Sequence, residues 1–352
     1  MKRTHRFHAL LFALLAALLI TSVAGAAPRD GAVVSLSVDR GDFDSSQDVL
    51  VTVNISNPTN HTVKILKWFT PAEGVEEPLF AVMLNGEPAA YTGAIYKRPE
   101  ATGKDYIQLK AGESITSTVN LADYYDLTQS GQYEVFYAVA AFNLFDLKGN
   151  NFKAREVLVS EKISINIQGR AKPGPTPTPP PPGTVSYNRC TVDQQNVLVS
   201  AHAEAKSYAS SSENYLQTKN TATSRYTKWF GEYTQSRFST VTSHFTAIRD
   251  AFYNKGVTYD CGCKQNYYAY VYPNQPYKIY VCKVFWSAPL TGTDSKAGTL
   301  IHEMSHFDVT AGTDDFVYGQ SGAANLALTN PDNAIMNADN HEYFAENNPF
   351  LP

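Results

Sequence analysis

The chain has 352 residues, of which 43% are hydrophobic and 18% are charged. This length suffices for two domains, and this composition is typical of globular proteins with sizeable cores. The net charge of −4 provides no electrostatic basis for binding nucleic acid or an anionic membrane, so we expect neither as a partner.

Residues 1–26 have the pattern of a secretory signal peptide. Basic residues within the first six positions precede an apolar run at 9–20, which is too short to favour a membrane-spanning helix. The small residues Ala24 and Ala26 then match a cleavage site. An uncleaved anchor is the alternative. We predict a secreted, extracellular protein with no membrane attachment after signal removal.

Residues 27–168 show the alternation of hydrophobic and polar residues that is typical of β-strands. Turn signals such as Asn85-Gly86 separate the runs. Several short strands at this spacing favour an all-β, immunoglobulin-like sandwich, in which we find no catalytic cluster. The predicted strands lie at 33–38, 49–55, 62–68, 79–84, 114–120, 133–139 and 163–167.

A proline-rich segment at 169–183 follows the predicted sandwich. Closely spaced prolines exclude the interior of a helix or sheet and favour extended polyproline II. The segment is therefore predicted to be a semi-rigid linker between two folded domains.

Residues 184–352 combine helical and strand patterns. Hydrophobic residues recur at helical spacing, and two strand-like runs flank a proline-containing turn at 273–276. The pattern predicts a mainly helical α+β domain. Its helices are predicted at 194–216, as a pair within 225–254, from near Ser295 and at 319–328, and a final helix or turn is predicted at 331–346. Strands are predicted at 267–272 and 278–284.

All four cysteines lie in this last part of the chain. An even number in an exported protein predicts two disulfides. Cys261 and Cys263 are too close in sequence to pair with each other, so their partners are Cys190 and Cys282 in one of two arrangements. A cysteine zinc site is the alternative, but the C-x-C spacing differs from the usual C-x-x-C pair.

The run His302-Glu303-Met304-Ser305-His306 reads H-E-x-x-H. On a helix both histidines share one face and can bind one metal ion, and Glu303 then lies beside that ion. Three protein ligands leave the fourth position of zinc for water, whose proton Glu303 can take as general base. The alternative is a pair of ordinary helix histidines with a solvated glutamate.

The third ligand decides the class of zinc peptidase. No histidine lies six residues after His306, where Gly312 stands, and no glutamate occurs between Glu303 and Glu342. These absences disfavour two known arrangements. Gly312 can end the helix in a left-handed turn and return the chain to the ion. Asp315 and Asp314 are then the two candidate ligands.

Asp339 and Glu342 are three residues apart, so one helical turn brings both carboxylates to the same side. Two converging carboxylates can bind an ammonium group. The alternative, which the spacing alone favours, is that Asp339 caps the helix and Glu342 completes a capping box.

The H-E-x-x-H motif and the run at 312–319, which reads G-T-x-D-x-x-Y-G, together resemble the aspzincins, the deuterolysin group of metallopeptidases. Further segments at 225–231, 270–274, 293–300 and 336–344 are similar to the peptidyl-Lys metalloendopeptidases. The resemblance covers 184–352 and implies a zincin-like fold with one Zn²⁺ per catalytic domain. The N-terminal part resembles the β-rich prosegment of that family.

The resemblance also implies roles for individual residues. It implies zinc binding by His302, His306 and Asp315, general base catalysis by Glu303 and stabilisation of the oxyanion by the hydroxyl group of Tyr318. It further implies a lysine pocket at Asp339 and Glu342, and the disulfides Cys190–Cys261 and Cys263–Cys282.

The leading hypothesis is a secreted, monomeric zinc endopeptidase that cleaves proteins or peptides on the amino side of lysine. The alternatives are a broader deuterolysin-type protease and a non-catalytic surface binding protein with a relic zincin domain. The N-terminal sandwich is expected to act as a prosegment that confers latency or assists folding. Self-cleavage at Ala171–Lys172, in the linker, is one conceivable route to its removal.

Overall fold

The computed structural model describes residues 31–145, 155–171 and 179–352. The predicted signal peptide and the Ala171–Lys172 bond therefore lie, wholly or in part, outside the described residues. Within the described ranges, no helix has the length and apolar character needed to cross a membrane.

The secondary structure comprises β-strands throughout and α-helices in the C-terminal half of the described chain. The strands are β1 (Val33–Ser37), β2 (Asp42–Phe43), β3 (Leu50–Ser56), β4 (Val63–Leu66), β5 (Phe80–Leu84), β6 (Glu87–Pro88), β7 (Ile95–Lys97), β8 (Tyr106–Leu109), β9 (Ser114–Asn120), β10 (Gly131–Ala141), β11 (Glu156–Val159), β12 (Ile163–Ile167), β13 (Val185–Asn188), β14 (Val257–Asp260), β15 (Ala269–Val271) and β16 (Lys278–Val281). The helices are α1 (Val192–Lys219), α2 (Ser224–Phe230), α3 (Gln235–Asn254), α4 (Lys283–Ser287), α5 (Lys296–His306), α6 (Gly319–Thr329), α7 (Pro331–Ala334) and α8 (Ala338–Glu346).

These elements form two compact units. The first contains the described residues up to Gly93 and those from Thr102 to 171, and the second contains Ala94–Ala101 and the described residues from 179 onward. The short segment Ala94–Ala101 therefore groups with the C-terminal unit, although the sequence predicts it as part of the N-terminal sandwich.

The first unit is built from β-sheets. One sheet has the order β1-β3-β9, a larger one has the order β2-β12-β10-β5-β6 with β11 beside β10, and β4 pairs with β8. Alternate residues of β3 are buried, which is the period that the sequence predicts for this strand. Asn85 and Gly86 both have positive φ, 53° and 83°, and form the predicted turn between β5 and β6. The immunoglobulin-like topology stays a prediction.

The second unit combines its helices with one five-stranded sheet of order β13-β14-β16-β15-β7. The strands β13, β14 and β16 run parallel, whereas β15 is antiparallel to β16 and β7 is antiparallel to β15. Helix α5 is buried along its whole length, so the H-E-x-x-H motif lies in the core of this unit.

Most C-terminal helices begin close to the predicted positions, but α5 ends at His306 rather than near Gly312, and the predicted element at 331–346 is divided into α7 and α8. Thr191 caps α1 in a reciprocal capping box with Gln194, and Ser295 caps α5 by accepting a hydrogen bond from the Gly298 amide at 2.9 Å. The parallel strands β13 and β14 were not predicted. Each has only four residues, Val-Ser-Tyr-Asn and Val-Thr-Tyr-Asp, which is the shortest length at which alternation predicts a strand.

Two disulfides close the loops beside the sheet. Cys190–Cys261 joins the ends of β13 and β14, and Cys263–Cys282 joins the segment after β14 to the end of β16. This is the pairing that the resemblance implies.

Candidate active site

Helix α5 places two imidazoles side by side. His302 and His306 lie one turn apart with their ring centroids 4.8 Å from each other, and both side chains are fully buried. The Nδ1 atom of His306 donates to the carbonyl oxygen of Thr313 at 2.9 Å. That hydrogen bond leaves the Nε2 atom of His306 as the free acceptor, which is the tautomer that a metal ligand needs.

The chain reverses after α5, but not as the sequence predicts. The helix ends at His306, six residues before Gly312, and the hydroxyl group of Thr310 donates to the Met304 carbonyl, which satisfies part of the helix end. Gly312 does adopt the left-handed conformation, with φ of 57°, and its amide donates to the Phe307 carbonyl at 3.1 Å. The turn therefore forms in the loop rather than at the end of the helix.

The loop brings Asp315 to both histidines. One carboxylate oxygen of Asp315 lies 3.2 Å from His302 Nε2 and the other lies 3.5 Å from His306 Nε2. Asp314 instead uses its side chain to accept the amide of Asp315 at 2.8 Å. Burial by itself would raise the pKa of Asp315, but the two histidines outweigh it and hold that pKa below its ordinary value.

These three residues fit a zinc ion. His302 Nε2, His306 Nε2 and one oxygen of Asp315 are buried without a hydrogen bond to any described residue, and all three side chains can present ligand atoms within 4.8 Å of one another. Unsatisfied buried acceptors are costly, and converging acceptors are matched by a cation. Two imidazole nitrogens and a carboxylate oxygen are ligands that zinc prefers.

Glu303 lies on the same helix between the two histidines. Its carboxylate is fully buried, and neither oxygen has a hydrogen bond within the part of the chain that the structure describes. Burial raises the pKa of Glu303 to about 7, although the neighbouring histidines act in the opposite direction. A carboxylate with such a pKa can take and return a proton near neutral pH.

Tyr318 directs its hydroxyl group toward the same centre. Its oxygen lies 3.2 Å from a carboxylate oxygen of Asp315 and accepts a hydrogen bond from Arg98 Nη1 at 2.8 Å. The hydroxyl proton can be donated to the carbonyl oxygen of Tyr96, which is 2.8 Å away. Tyr318 is therefore placed to donate to a peptide carbonyl beside the three candidate ligands.

Helix α8 supplies a buried pair of carboxylates. The helix begins at Ala338 after Asn337, so Asp339 is not its cap and the capping-box interpretation is wrong. One Asp339 oxygen accepts the amide of Gly319 at 2.6 Å, and the other lies 2.8 Å from His302 Nδ1. Glu342 Oε2 lies 3.3 Å from the same nitrogen. The acid pair therefore borders the imidazole of His302.

A lysine ammonium occupies the space between the two carboxylates. Lys97 Nζ lies 2.5 Å from Glu342 Oε2 and 3.1 Å from Asp339 Oδ1, and its side chain is 1% exposed. The ring of Tyr268 lies 5.0 Å from the ammonium. Burial alone would lower the pKa of Lys97, but the two carboxylates outweigh it, so the pKa is raised and the ammonium stays charged.

Two residues of the site, Lys97 and Asn337, are not predicted from the sequence. Asn337 accepts the amides of Phe316 and Val317 at 2.8 and 3.2 Å, which fastens the loop of Asp315 to the start of α8. The signal for Asn337 was its place in the segment 336–344 that carries the family resemblance. No local pattern distinguishes Lys97 from other lysines.

The chain is similar to several known proteins. Residues 215–346 match the aspzincin family, described as lysine-specific metallo-endopeptidase. The chain is 42% identical to an extracellular protease of Aeromonas hydrophila over 87% of this chain and 90% of that protein. It is 38% identical to a peptidyl-Lys metalloendopeptidase of Grifola frondosa, again over 87% and 90%. A solved structure of a zinc peptidase from Grifola frondosa is 50% identical, covers 46% of this chain and 100% of its own, and has a TM-score of 0.45.

Proposed function

This chain belongs to the aspzincin family and is a zinc metalloendopeptidase, and we propose that it cleaves peptide bonds on the amino side of lysine. The observation that carries the proposal is the buried acid pair of Asp339 and Glu342, with an ammonium 3.1 and 2.5 Å from its oxygens. A lysine side chain offers the length and the charge that such a pocket binds. Two relatives that are named peptidyl-Lys metalloendopeptidase, one from Grifola frondosa and one from Armillaria mellea, support the same specificity.

His302, His306 and Asp315 are the residues that we assign to one zinc ion. Their unsatisfied buried acceptors support this assignment. A zinc ion in this position would polarise the scissile carbonyl group and lower the pKa of a bound water to about 7. Asp339 orients the imidazole of His302 from the opposite side of the ring, as carboxylates commonly do for metal-binding histidines.

Glu303 and Tyr318 are the residues that we assign to proton transfer and carbonyl activation. Glu303 takes a proton from the attacking water and returns it to the departing amine. Tyr318 donates its hydroxyl proton to the carbonyl oxygen, whose negative charge grows as the bond is attacked. One such donor typically contributes about 3–4 kcal/mol to lowering the barrier.

We also propose that the protein is secreted. The signal-peptide pattern of residues 1–26 and the name of the Aeromonas hydrophila relative, an extracellular protease, support this location. A monomeric state stays a prediction.

The specificity can be tested by digesting a mixture of denatured proteins with the secreted enzyme and identifying the new N-termini by mass spectrometry. We expect lysine at the first position of most new N-termini, and no digestion by a Glu303→Gln variant or after chelation. Glu303→Gln should still bind zinc, because its three ligands are intact. A broad range of first residues would refute the lysine specificity and favour the general deuterolysin-type protease.

A further inference from the structure

The segment Ala94–Ala101 adds a strand to the sheet of the C-terminal unit. Strand β7 pairs antiparallel with β15, with Tyr96 opposite Tyr270 and Lys97 opposite Ala269. The amide of Tyr268 donates to the carbonyl of Lys97 at 3.0 Å, which continues the ladder. Addition of an extended peptide to a sheet edge is a common way in which proteins bind unfolded substrates.

The side chains of this segment reach the candidate catalytic residues in register. The ammonium group of Lys97 lies between the carboxylates of Asp339 and Glu342. The carbonyl oxygen of the preceding residue, Tyr96, lies 2.8 Å from the hydroxyl oxygen of Tyr318. The Tyr96–Lys97 peptide bond therefore combines two properties of a scissile bond under the proposed function. Its amine side belongs to a lysine in the pocket, and its carbonyl oxygen meets the proposed hydrogen-bond donor.

Neighbouring contacts hold the segment in this position. Arg98 donates to the Tyr318 hydroxyl at 2.8 Å, and its guanidinium lies 5.3 Å from the ring centre of Tyr267. Glu100 packs against Gly319, where an added Cβ would lie only 1.7 Å from a carboxylate oxygen. A lysine that served only to neutralise two buried acids would not require its own peptide bond to lie beside Tyr318.

We propose that residues 95–98 are an internal substrate: the uncut chain is latent because Lys97 fills the lysine pocket, and the chain cleaves itself between Tyr96 and Lys97. The inference rests on the proposed function. In this hydrolysis the oxygen of one water forms a bond to the carbonyl carbon of Tyr96, and the bond from that carbon to the amide nitrogen breaks. Tyr96 becomes a carboxylate terminus, and Lys97 keeps its nitrogen as a new, protonated amino terminus.

The cleavage can be followed on the full chain, expressed with zinc withheld and then supplied with one equivalent. Mass spectrometry should detect a new N-terminus at Lys97 in the parent and none in Glu303→Gln. Because the Tyr96–Lys97 segment already lies in the active site of its own molecule, the rate constant for its cleavage should not change on tenfold dilution. A rate that falls in proportion to concentration, or a Tyr96–Lys97 bond that survives while an added lysine peptide is cleaved, would overturn self-cleavage.

The latency has a separate readout in binding. In the inactive Glu303→Gln background, we expect Lys97→Ala to increase the affinity for a fluorescent lysine-containing peptide at least tenfold, because the pocket is then open. Lys104→Ala is the matched control, because it also replaces a lysine, but one whose side chain is exposed. Equal affinity of the two double variants, each shown to be folded by circular dichroism, would overturn the occupancy of the pocket.

The two tests separate this inference from the proposed function. If added peptides are cleaved before lysine but neither the Lys97 terminus nor the affinity gain is observed, the internal substrate is refuted and the specificity stands. If added peptides are cleaved without preference for lysine, the proposed function itself fails. The mapping of termini in the parent chain requires no variant to fold.

Discussion

Replacing Glu342 with Gln tests the lysine pocket directly. The change keeps the shape of the side chain but removes the charge that lies 2.5 Å from the bound ammonium. Truncating one partner of a buried, hydrogen-bonded charge pair typically costs about 2–5 kcal/mol. Asp339 remains 3.1 Å from the ammonium, so we expect about 3 kcal/mol, which corresponds to a loss of roughly 100-fold in kcat/KM.

The assay is kcat/KM on two peptides that differ only in lysine or norleucine after the scissile bond, measured on the processed enzyme. Glu346→Gln is the matched control one helical turn away. Burial and the proximity of Glu342 raise the pKa of Glu346 to about 9, so at pH 7 this substitution removes little charge. Zinc content is measured for both variants, because Glu342 also lies 3.3 Å from His302 Nδ1.

The expected result is a loss of kcat/KM for Glu342→Gln only, and only on the lysine peptide. A loss of less than about tenfold on the lysine peptide would contradict the assigned role of the carboxylate. An equal loss on both peptides would show that the substitution damages the catalytic centre rather than the pocket.

Three further predictions concern the supports of the site. Asn337→Ala leaves the buried amides of Phe316 and Val317 without their acceptor, so we expect about 2–4 kcal/mol less stability by urea unfolding and about tenfold weaker zinc binding. Replacing both Cys263 and Cys282 with Ser opens a loop with a sequence separation of 19 and should cost about 3 kcal/mol in the same assay. His202→Gln should flatten the pH dependence of stability. Burial lowers the pKa of His202 from 6.5 to about 4, so between these pH values the unfolded state binds a proton that the folded state does not, and the parent loses up to about 3 kcal/mol of stability as the pH falls.

Each of these predictions has a contradicting outcome. Zinc affinity that is unchanged in Asn337→Ala would show that the loop of Asp315 is held by other contacts. With a reductant present, the parent and the double serine variant both lack both disulfides and should be equally stable, and a difference above about 1 kcal/mol would mean that the serines act in another way. The His202 comparison is made in chelator, so that zinc release does not contribute, and parallel pH curves for parent and variant would refute the assigned pKa.

The parts of the site that depend on local sequence signals were predictable. Helix α5 was expected to begin near Ser295 because a capping residue and helical periodicity act over a few neighbouring residues. The choice between Asp314 and Asp315 could not be made from spacing, because adjacent residues on a loop point in different directions. Only the folded loop, with Asp314 turned toward the Asp315 amide, distinguishes them.

The parts that depend on distant contacts were not predictable from local patterns. Strand β7 is separated from its partner β15 by more than 160 residues of sequence, and three residues carry no readable period. Spacing also favoured a capping role for Asp339, whose carboxylate in fact receives the Gly319 amide and faces Lys97. Buried polar partners from other elements outweighed the local preference at this position.

The pairing of β7 with β15 also has a consequence for protein digestion. The ladder joins three residues on each strand. Under the internal-substrate proposal, a bound chain pairs with β15 as β7 does and is extended over about three residues, or roughly 10 Å. A lysine inside a helix of a folded protein cannot meet this requirement until that helix opens. The rate at which a native protein is cleaved should therefore follow its own local unfolding equilibrium, and mild denaturation of the target should accelerate cleavage.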